Sequence, residues 1–368
     1  MYRCHSIIPF LLALVSTAGF SADRPVHYQT LTGFDNPISC AFDLSGDLLF
    51  VVNSARGEYG WVSGRGAVSK VAVAADGTLS MIDDRFVTGL GGPMGIAILP
   101  VEIGRFAAGT IFVSQGGAWV VNRSGELVRN TFDLETGVFA IDPESGRIVG
   151  KLLMGPGTRF SQSLGHGVVN PLGICFNPAG DLFVCDGGSG GPNLSPPVDG
   201  RAGIIRIPAD QLDSVAAGNG AEGLDFLGVA NGPTTLFWHA ASNSLMATTG
   251  SGMGPLGGAV FRLPRGDFSE RGSVETVGSG LTAVAGAFIT PAGTAIAIVN
   301  SGEIRRIRSK EKSKDIRLRP ELYLVTPGAP AAKTLPDGRI MTVIPEQAGG
   351  GIADWHQQVQ VILFPSET

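Results

Sequence analysis

The sequence predicts an all-β fold, a six-bladed β-propeller in which each blade is a four-stranded sheet. One phrase, an apolar run followed by a turn and a second apolar run, occurs six times, and its sharpest copy runs from Asn170 to Asp186. A glycine that leads into an alternating strand, such as Gly203-Ile204-Ile205-Arg206-Ile207, follows five of the copies. Hairpins that recur in this way are typical of propeller blades. The composition agrees, because 54 glycines and 23 prolines in 368 residues favour short strands and tight turns.

The six copies are placed along the chain by their turns. The fourth copy is degraded and the sixth is faint. A further strand after the glycine signature, such as 77–87 in the first unit and 317–325 in the fifth, completes the four strands of a blade. The second copy is interrupted by an insertion around 100–108. In the other five copies the turns lie at 43–47, 177–181, 239–243, 290–293 and 336–338.

Residues 26–32 lie directly before the first blade, where the outer strand of a preceding blade belongs. The run 359–364 supplies a third strand for the sixth blade. We therefore predict that the N-terminal strand joins the C-terminal blade and closes the ring, which removes the open edge that a sheet otherwise presents. Because blades pack around one axis, residues 22–368 are predicted to form a single domain.

The first 21 residues have the pattern of a signal peptide. An apolar run from Ile7 to Phe20 follows one positive charge and is too short to span a bilayer. The small residues Gly19 and Ser21 suit a signal peptidase. The alternative, a buried N-terminal strand, is disfavoured because Asp23-Arg24-Pro25 ends the run abruptly. The protein is expected to be secreted or periplasmic, without a membrane span.

Charge and cysteine content narrow the classes of function. A net charge of −5 does not favour binding to nucleic acid. The sequence contains no Cys-x-x-Cys motif, so its cysteines give no indication of a zinc site. Cys40, Cys175 and Cys185 remain after removal of the signal peptide, and we expect them to be buried free thiols that pack as small apolar groups.

One phrase resembles a known family. Pro171-Leu172-Gly173-Ile174 with Gly180-Asp181-Leu182-Phe183-Val184-Cys185-Asp186 resembles the NHL repeat and the related SMP-30/gluconolactonase-like six-bladed propellers. The resemblance implies the same fold and a ligand site at one mouth of the central channel. Members of this group include calcium-dependent lactonases, lyases and interaction modules, so the resemblance does not select one activity.

The metal site of the lactonases is matched in part. That family places a metal-binding Glu in a Glu-Gly-Pro phrase, an Asn before the Gly of an inner strand, and an Asp at the end of a second strand. Here Asp35-Asn36-Pro37 contains no Glu, and Leu172 precedes Gly173. Only Asp186 matches, and it is predicted to be the one carboxylate at the end of a second strand.

Propeller topology predicts which side chains meet. Loops that enter the inner strands and loops that leave the second strands open at the same end of the channel. An oxygen-rich ring suits a hard cation such as Ca²⁺, for which Asp186, Asn53 and Asn300 are the predicted ligands. His166 and Asp186 are the predicted catalytic residues, with His166 as a base or metal ligand. Alternatively, such Asn and Asp residues only satisfy backbone groups at strand ends. The predicted ligand-binding residues on this rim are Asn36, Asn170 and Ser114.

The loops that leave the second strands are long and rich in glycine, which is typical of a recognition surface. Trp61 and Trp119 lie in two of these loops and are predicted to stack on a small, carbohydrate-like ligand. Arg159 lies in the long connection that leads to His166 and is predicted to contact the same ligand. Alternatively, the aromatic side chains hold their own loops in place.

Two classes of function agree with these patterns. The first is a secreted enzyme that acts on a small or sugar-like substrate, a cation-assisted hydrolase or lyase of the lactonase type. The second is a non-catalytic propeller that uses the same rim to bind a protein or polymer. The rim is rich in binding groups and poor in reactive ones, so the sequence leaves both classes open.

Overall fold

Six four-stranded antiparallel sheets form the blades of a β-propeller, which confirms the predicted fold. The computed structural model describes residues 25–55, 64–116, 119–121, 127–129, 134–188, 202–229, 232–249, 258–268, 274–281, 284–290, 293–299, 304–307, 314–316, 327–346 and 357–366. No helix among these residues is long and apolar enough to cross a membrane. The predicted signal peptide, 1–21, lies outside the described residues.

The strands follow one another from the channel outward in each blade, except that the first strand of the chain belongs to the last blade. This strand is β1 (Val26–Thr32). Blade 1 contains β2 (Pro37–Phe42), β3 (Leu48–Asn53), β4 (Gly66–Val73) and β5 (Leu79–Leu90). Blade 2 begins with β6 (Gly92–Ile98) and β7 (Ile111–Gly116), continues through a separate hairpin of β8 (Trp119–Val121) and β9 (Leu127–Arg129), and ends with β10 (Gly137–Ile141) and β11 (Ile148–Leu153).

The helix α1 (Arg159–Leu164) connects blade 2 to blade 3. Blade 3 contains β12 (Pro171–Phe176), β13 (Leu182–Asp186), β14 (Gly203–Ile207), the helix α2 (Leu212–Ala216) and β15 (Asp225–Gly228). Blade 4 contains β16 (Pro233–His239), β17 (Ser244–Thr249), β18 (Gly258–Pro264) and β19 (Glu275–Leu281). Blade 5 contains β20 (Val284–Ile289), β21 (Ala295–Val299), β22 (Ile304–Ile307) and β23 (Lys314–Ile316). Blade 6 contains β24 (Ala331–Thr334), β25 (Ile340–Glu346), β26 (Gln358–Phe364) and β1.

The N-terminal strand closes the ring as predicted. β1 pairs antiparallel with β26, from Val26 opposite Leu363 to Thr32 opposite Gln358. The side-chain amide of Gln29 also bonds to both backbone groups of Leu79 in blade 1, at 2.9 and 2.8 Å. β1 therefore joins blade 6 by strand pairing and blade 1 by a side chain.

One outer strand differs from its predicted position. The fourth strand described in blade 5 is β23, which comes before the predicted 317–325. Residues 317–325 themselves lie outside the described part of the chain. The outer strand of blade 1 was expected over 77–87 and spans Leu79–Leu90.

The glycine in Pro171-Leu172-Gly173, at the start of β12, has a packing reason. Pro171 pairs with the last residue of β13, and a register shift follows before Ile174. A Cβ atom on Gly173 would lie 2.5 Å from the Cα atom of Thr235 in the next blade. Inner strands of neighbouring blades converge toward the axis, so only glycine fits where their backbones approach this closely.

Two short helices cover the outer side of the boundary between blades 2 and 3. Phe160 of α1 packs in one buried apolar cluster with Leu212 and Val215 of α2. The hydroxyl of Thr158 accepts the N–H of Ser161 at 3.1 Å and caps the start of α1. Gly165 ends the helix in the left-handed conformation, with φ of 86°. α1 thereby directs the chain that leads to His166.

Candidate functional site

The loops that enter the inner strands and those that leave the second strands share one face of the propeller, called the upper face below. The predicted site residues Asn53, Ser114 and Asp186 lie at or near the ends of the second strands β3, β7 and β13 on this face. Asn36 and Asn170 directly precede the inner strands β2 and β12. The topology therefore brings the described members of the predicted rim to one face.

Asp186 is a fully buried carboxylate that holds two loops of blade 3 together. Its Oδ1 atom accepts the N–H of Asn170 at 3.0 Å and of Gly188 at 2.9 Å. Its Oδ2 atom accepts the N–H of Val169 at 3.3 Å. Burial raises the pKa of the Asp186 carboxyl, while these three N–H groups and the nearby His166 oppose the rise. The carboxylate thus fixes the segment before β12 against the segment after β13.

Other second-strand residues play the same part in their blades. Asn53 accepts the N–H of Asp35 through its side-chain oxygen at 3.2 Å. Ser114 accepts the N–H of Gly95 at 2.7 Å and donates to the carbonyl of Leu172 in blade 3 at 2.5 Å. These contacts favour the interpretation in which rim residues satisfy backbone groups, because each side chain holds its own inner strand in place.

Asn36 also supports the local backbone. Its φ is 61°, in the left-handed region that asparagine tolerates. Its amide donates to the hydroxyl of Ser54 at 2.7 Å and to the carbonyl of Ala55 at 3.3 Å. Asn36 therefore joins the start of the inner strand of blade 1 to the loop after its second strand.

His166 lies over the outer part of blade 3. Its ring meets Phe226 of the outer strand β15 edge to face, with 4.7 Å between the ring centres. Its Nδ1 atom lies 3.4 Å from the carbonyl oxygen of Gly167. Its Nε2 atom is buried and has no hydrogen-bond partner among the described residues. A positive charge on this ring would lower the pKa of the Asp186 carboxyl.

Asn170 is another side chain on this face with an atom that is unsatisfied among the described residues. Its Nδ2 atom is buried without a hydrogen-bond partner in the described part of the chain. A Cβ atom on Gly116 would lie 3.3 Å from Asn170 Oδ1, and one on Gly187 would lie 3.0 Å from Asn170 Nδ2. Because these two glycines have no side chains, there is space for the Asn170 amide.

Two polar residues on the upper face were missed by sequence reasoning. Glu346 ends β25, the second strand of blade 6, and is fully buried, so Asp186 is not the one carboxylate in such a position. Its Oε2 atom accepts the side-chain amides of Gln358 at 2.6 Å and Gln360 at 2.8 Å. Thr136 precedes β10 and has a buried hydroxyl without a partner among the described residues. Glu346 could have been found by extending the second strand of the faint sixth repeat by two residues at its C-terminal end. No sequence signal marks Thr136.

The remaining predicted site residues are placed only in part. Trp61 and Asn300 lie outside the described residues. Trp119 begins β8, and its side chain is not among those described. Arg159 is the first residue of α1 and is exposed.

The described donors do not by themselves form a calcium site. Calcium in proteins takes six to eight oxygen ligands. Asp186 and Asn53 already accept backbone N–H groups. Across the described ranges, no three His, Cys, Asp or Glu side chains stand close enough to share a metal ion. The third predicted ligand, Asn300, lies outside these ranges, so calcium binding stays a prediction.

Known structures share this fold. No protein-family model and no curated protein matches the sequence. A Dyadobacter fermentans protein of unknown function aligns with a TM-score of 0.56 and 11% identity, over 93% of this chain and 99% of that one. A gluconolactonase from Xanthomonas campestris aligns with a TM-score of 0.52 and 12% identity, over 94% and 96%. A protein described as an oxidoreductase, a glucose dehydrogenase, from Thermus thermophilus aligns with a TM-score of 0.53 and 17% identity, over 92% and 99%. The resemblance seen in the repeats is therefore confirmed for the fold, which these proteins share across different activities.

Proposed function

We propose that this propeller binds a small, sugar-like ligand on its upper face and hydrolyses an ester bond in it, as a lactonase does, with His166 as the base. The observation that carries the proposal is the Nε2 atom of His166, which is buried without a partner among the described residues. His166 shortly precedes Val169 and Asn170, whose backbone N–H groups the Asp186 carboxylate accepts. The substrate class follows the gluconolactonase from Xanthomonas campestris, with which the chain shares its fold.

The contacts of the ring support this role. A carbonyl oxygen only accepts hydrogen bonds, so in this scheme Nδ1 carries the ring proton and donates it to Gly167. Nε2 then keeps its lone pair and is able to take a proton from water. The Asp186 carboxylate, held by backbone N–H groups, stabilises the imidazolium that forms. Asp186 is a positioning residue in this scheme.

The reaction balances as a hydrolysis. His166 Nε2 removes one proton from water as the water oxygen bonds to the ester carbonyl carbon. The ring C–O bond of the ester then breaks, and the imidazolium returns the proton to the leaving oxygen. One lactone and one water give one hydroxy acid. No step is assigned to a cation.

The test is lactone hydrolysis by the whole protein, followed by acid release at constant pH. We expect His166→Gln to lower kcat by about 10²–10⁴-fold, the usual contribution of a general base. The matched control is His239→Gln, because His239 ends β16 at the opposite end of the propeller and should not affect turnover. Equal rates for wild type and His166→Gln, or no hydrolysis of any sugar lactone, would refute the proposal. Repeating the assay with calcium and with a chelator tests the predicted cation dependence.

A non-catalytic binding propeller is the second candidate, and one observation favours it. The side chains of Asp186, Asn53 and Ser114 are all engaged with backbone groups, which leaves few reactive groups among the described residues. Calorimetric binding of a sugar, polymer or protein without turnover would support this function over hydrolysis.

We also propose that the protein is exported after removal of residues 1–21. The apolar run from Ile7 to Phe20 and the small residues Gly19 and Ser21 support this. The intact mass of the protein from its own host tests the proposal. Retention of the run in the mature protein would contradict it.

A further inference from the structure

We propose that a hydroxyl-recognition subsite lies on the upper face at the boundary of blades 2 and 3, formed by the side chains of Thr136 and Asn170. Its ligand is a neutral alcohol group of a polyol. The identity of the whole ligand as sugar-like rests on the proposed function, but the subsite itself rests on separate contacts and has a separate test.

Strand register places the two side chains together. Gly137 pairs with Gln115 in the β10–β7 ladder, so the preceding Thr136 stands beside Gly116. The N–H of Met154 donates to the Thr136 carbonyl at 3.0 Å, which continues the β10–β11 ladder through this residue. Paired residues of an antiparallel ladder project from the same face of the sheet. A Cβ atom on Gly116 would point at Asn170 Oδ1 from 3.3 Å, and Thr136 therefore projects toward the same side.

Both side chains present polar atoms that lack partners among the described residues. Thr136 is only 4% exposed. Its Oγ1 atom and the Nδ2 atom of Asn170 are both buried without a hydrogen bond in the described part of the chain. Buried polar groups in native proteins are nearly always paired, and unpaired ones destabilise the fold. Two such atoms at one blade boundary indicate a common partner.

The chemistry of the two atoms selects the partner. The Asn170 amide nitrogen only donates, whereas the Thr136 hydroxyl donates and accepts. An alcohol hydroxyl accepts from the amide and exchanges a hydrogen bond with the threonine. An anionic group is disfavoured, because the Asp186 carboxylate bonds to the backbone N–H of Asn170 at 3.0 Å.

The experiment compares two neutral ring probes, 1,5-anhydroglucitol, which carries hydroxyls, and tetrahydropyran, which carries none. Binding to the whole protein is measured by calorimetry or ligand-observed NMR. We expect Thr136→Val to weaken binding of the polyol about tenfold, the usual effect of one lost hydrogen bond, and to leave tetrahydropyran unchanged. Thr136→Ser keeps the hydroxyl and should restore polyol binding. Gly116→Ala crowds the Asn170 amide and should also weaken it.

Stability provides an independent readout of Thr136→Val. The valine replaces an unsatisfied hydroxyl, so the melting temperature should be kept or raised while the rise caused by polyol is lost. A lower melting temperature with unchanged polyol affinity would show that Thr136 binds a structural water only and would overturn the subsite. Equal polyol affinity in Thr136→Val and wild type would overturn it as well.

Failure of this proposal and failure of the hydrolase proposal give different results. If His166→Gln abolishes hydrolysis but Thr136→Val binds the polyol normally, the subsite is wrong and the hydrolase stands. If no lactone is hydrolysed but Thr136→Val weakens polyol binding, the subsite stands and the hydrolase is wrong.

Discussion

Asp186 carries an electrostatic cost that its hydrogen bonds only partly offset. Because burial raises the pKa of its carboxyl above the ordinary value of 3.8, the folded protein holds this proton more tightly than the unfolded chain. The stability associated with this group is fully present below about pH 4 and is lost as pH rises through the folded pKa. We therefore predict that the melting temperature of wild type falls relative to that of Asp186→Asn as pH rises from 4.

Asp142 provides the matched control for this pH dependence. Hydrogen bonds from Ser145 lower the pKa of the Asp142 carboxyl, so its stabilisation is present above pH 3.8 and is lost as pH falls. The melting temperature of wild type should therefore rise relative to that of Asp142→Asn as pH rises, which is the opposite pH dependence. A wild-type minus Asp186→Asn difference that does not change with pH would contradict the burial argument.

The three described cysteines are predicted to be unreactive in the folded protein. Cys40, Cys175 and Cys185 are buried free thiols, as the sequence indicated. Burial raises the pKa of the Cys40 thiol to about 12 and raises those of Cys175 and Cys185 as well. A maleimide reacts with the thiolate, so labelling located by mass spectrometry should occur only after unfolding. Rapid native labelling of Cys185 would show that blade 3 opens locally.

At the scale of elements, the contact between neighbouring inner strands explains the glycine at position 173. We predict that Gly173→Ala destabilises the protein by about 1–3 kcal/mol, the usual cost of overpacking a core. The reason is the 2.5 Å approach of the added Cβ atom to Thr235 in blade 4. The free energy of unfolding in urea measures the effect.

Gly228→Ala is the control for this substitution. Gly228 ends β15, and the one atom within 4 Å of its added Cβ is a ring carbon of Phe226, at 3.9 Å. This variant should change the unfolding free energy by less than about 1 kcal/mol, as an ordinary surface substitution does. Similar losses in both variants would mean that alanine acts through the unfolded chain rather than through the blade contact.

Local patterns predicted the elements better than they predicted the site. Each hairpin was recognised because its turn and its alternating strands are contiguous in sequence, as in 177–181 between β12 and β13. The position of His166 was not predictable in this way, because its ring lies against Phe226 of β15, a contact between segments that are distant in sequence. The subsite proposed at Thr136 and Asn170 depends on strand register and on the missing side chain of Gly116, which are properties of the assembled blades.

For the whole molecule, the closing strand is predicted to decide stability. Deleting residues 26–32 exposes β26 as an edge strand and should cause aggregation or a marked fall in melting temperature. Gln29→Ala removes two hydrogen bonds to Leu79 and should cost about 1–3 kcal/mol. Tyr28→Phe, which removes one exposed hydrogen bond to Thr78, is the control and should have little effect. An unchanged melting temperature after the deletion would contradict the importance of closure.

Closure by β1 also sets the order in which the chain folds. The side chains of His27 and Gln360 meet at 2.9 Å although 333 residues separate them in sequence. During synthesis β1 emerges first, and its partner β26 emerges only after every other blade has been made. Contacts between such distant segments form slowly, because a long loop must close before they stabilise anything. Blades 1 to 5 therefore have time to assemble while β1 stays unpaired, and the nascent chain depends on that strand finding no other partner first.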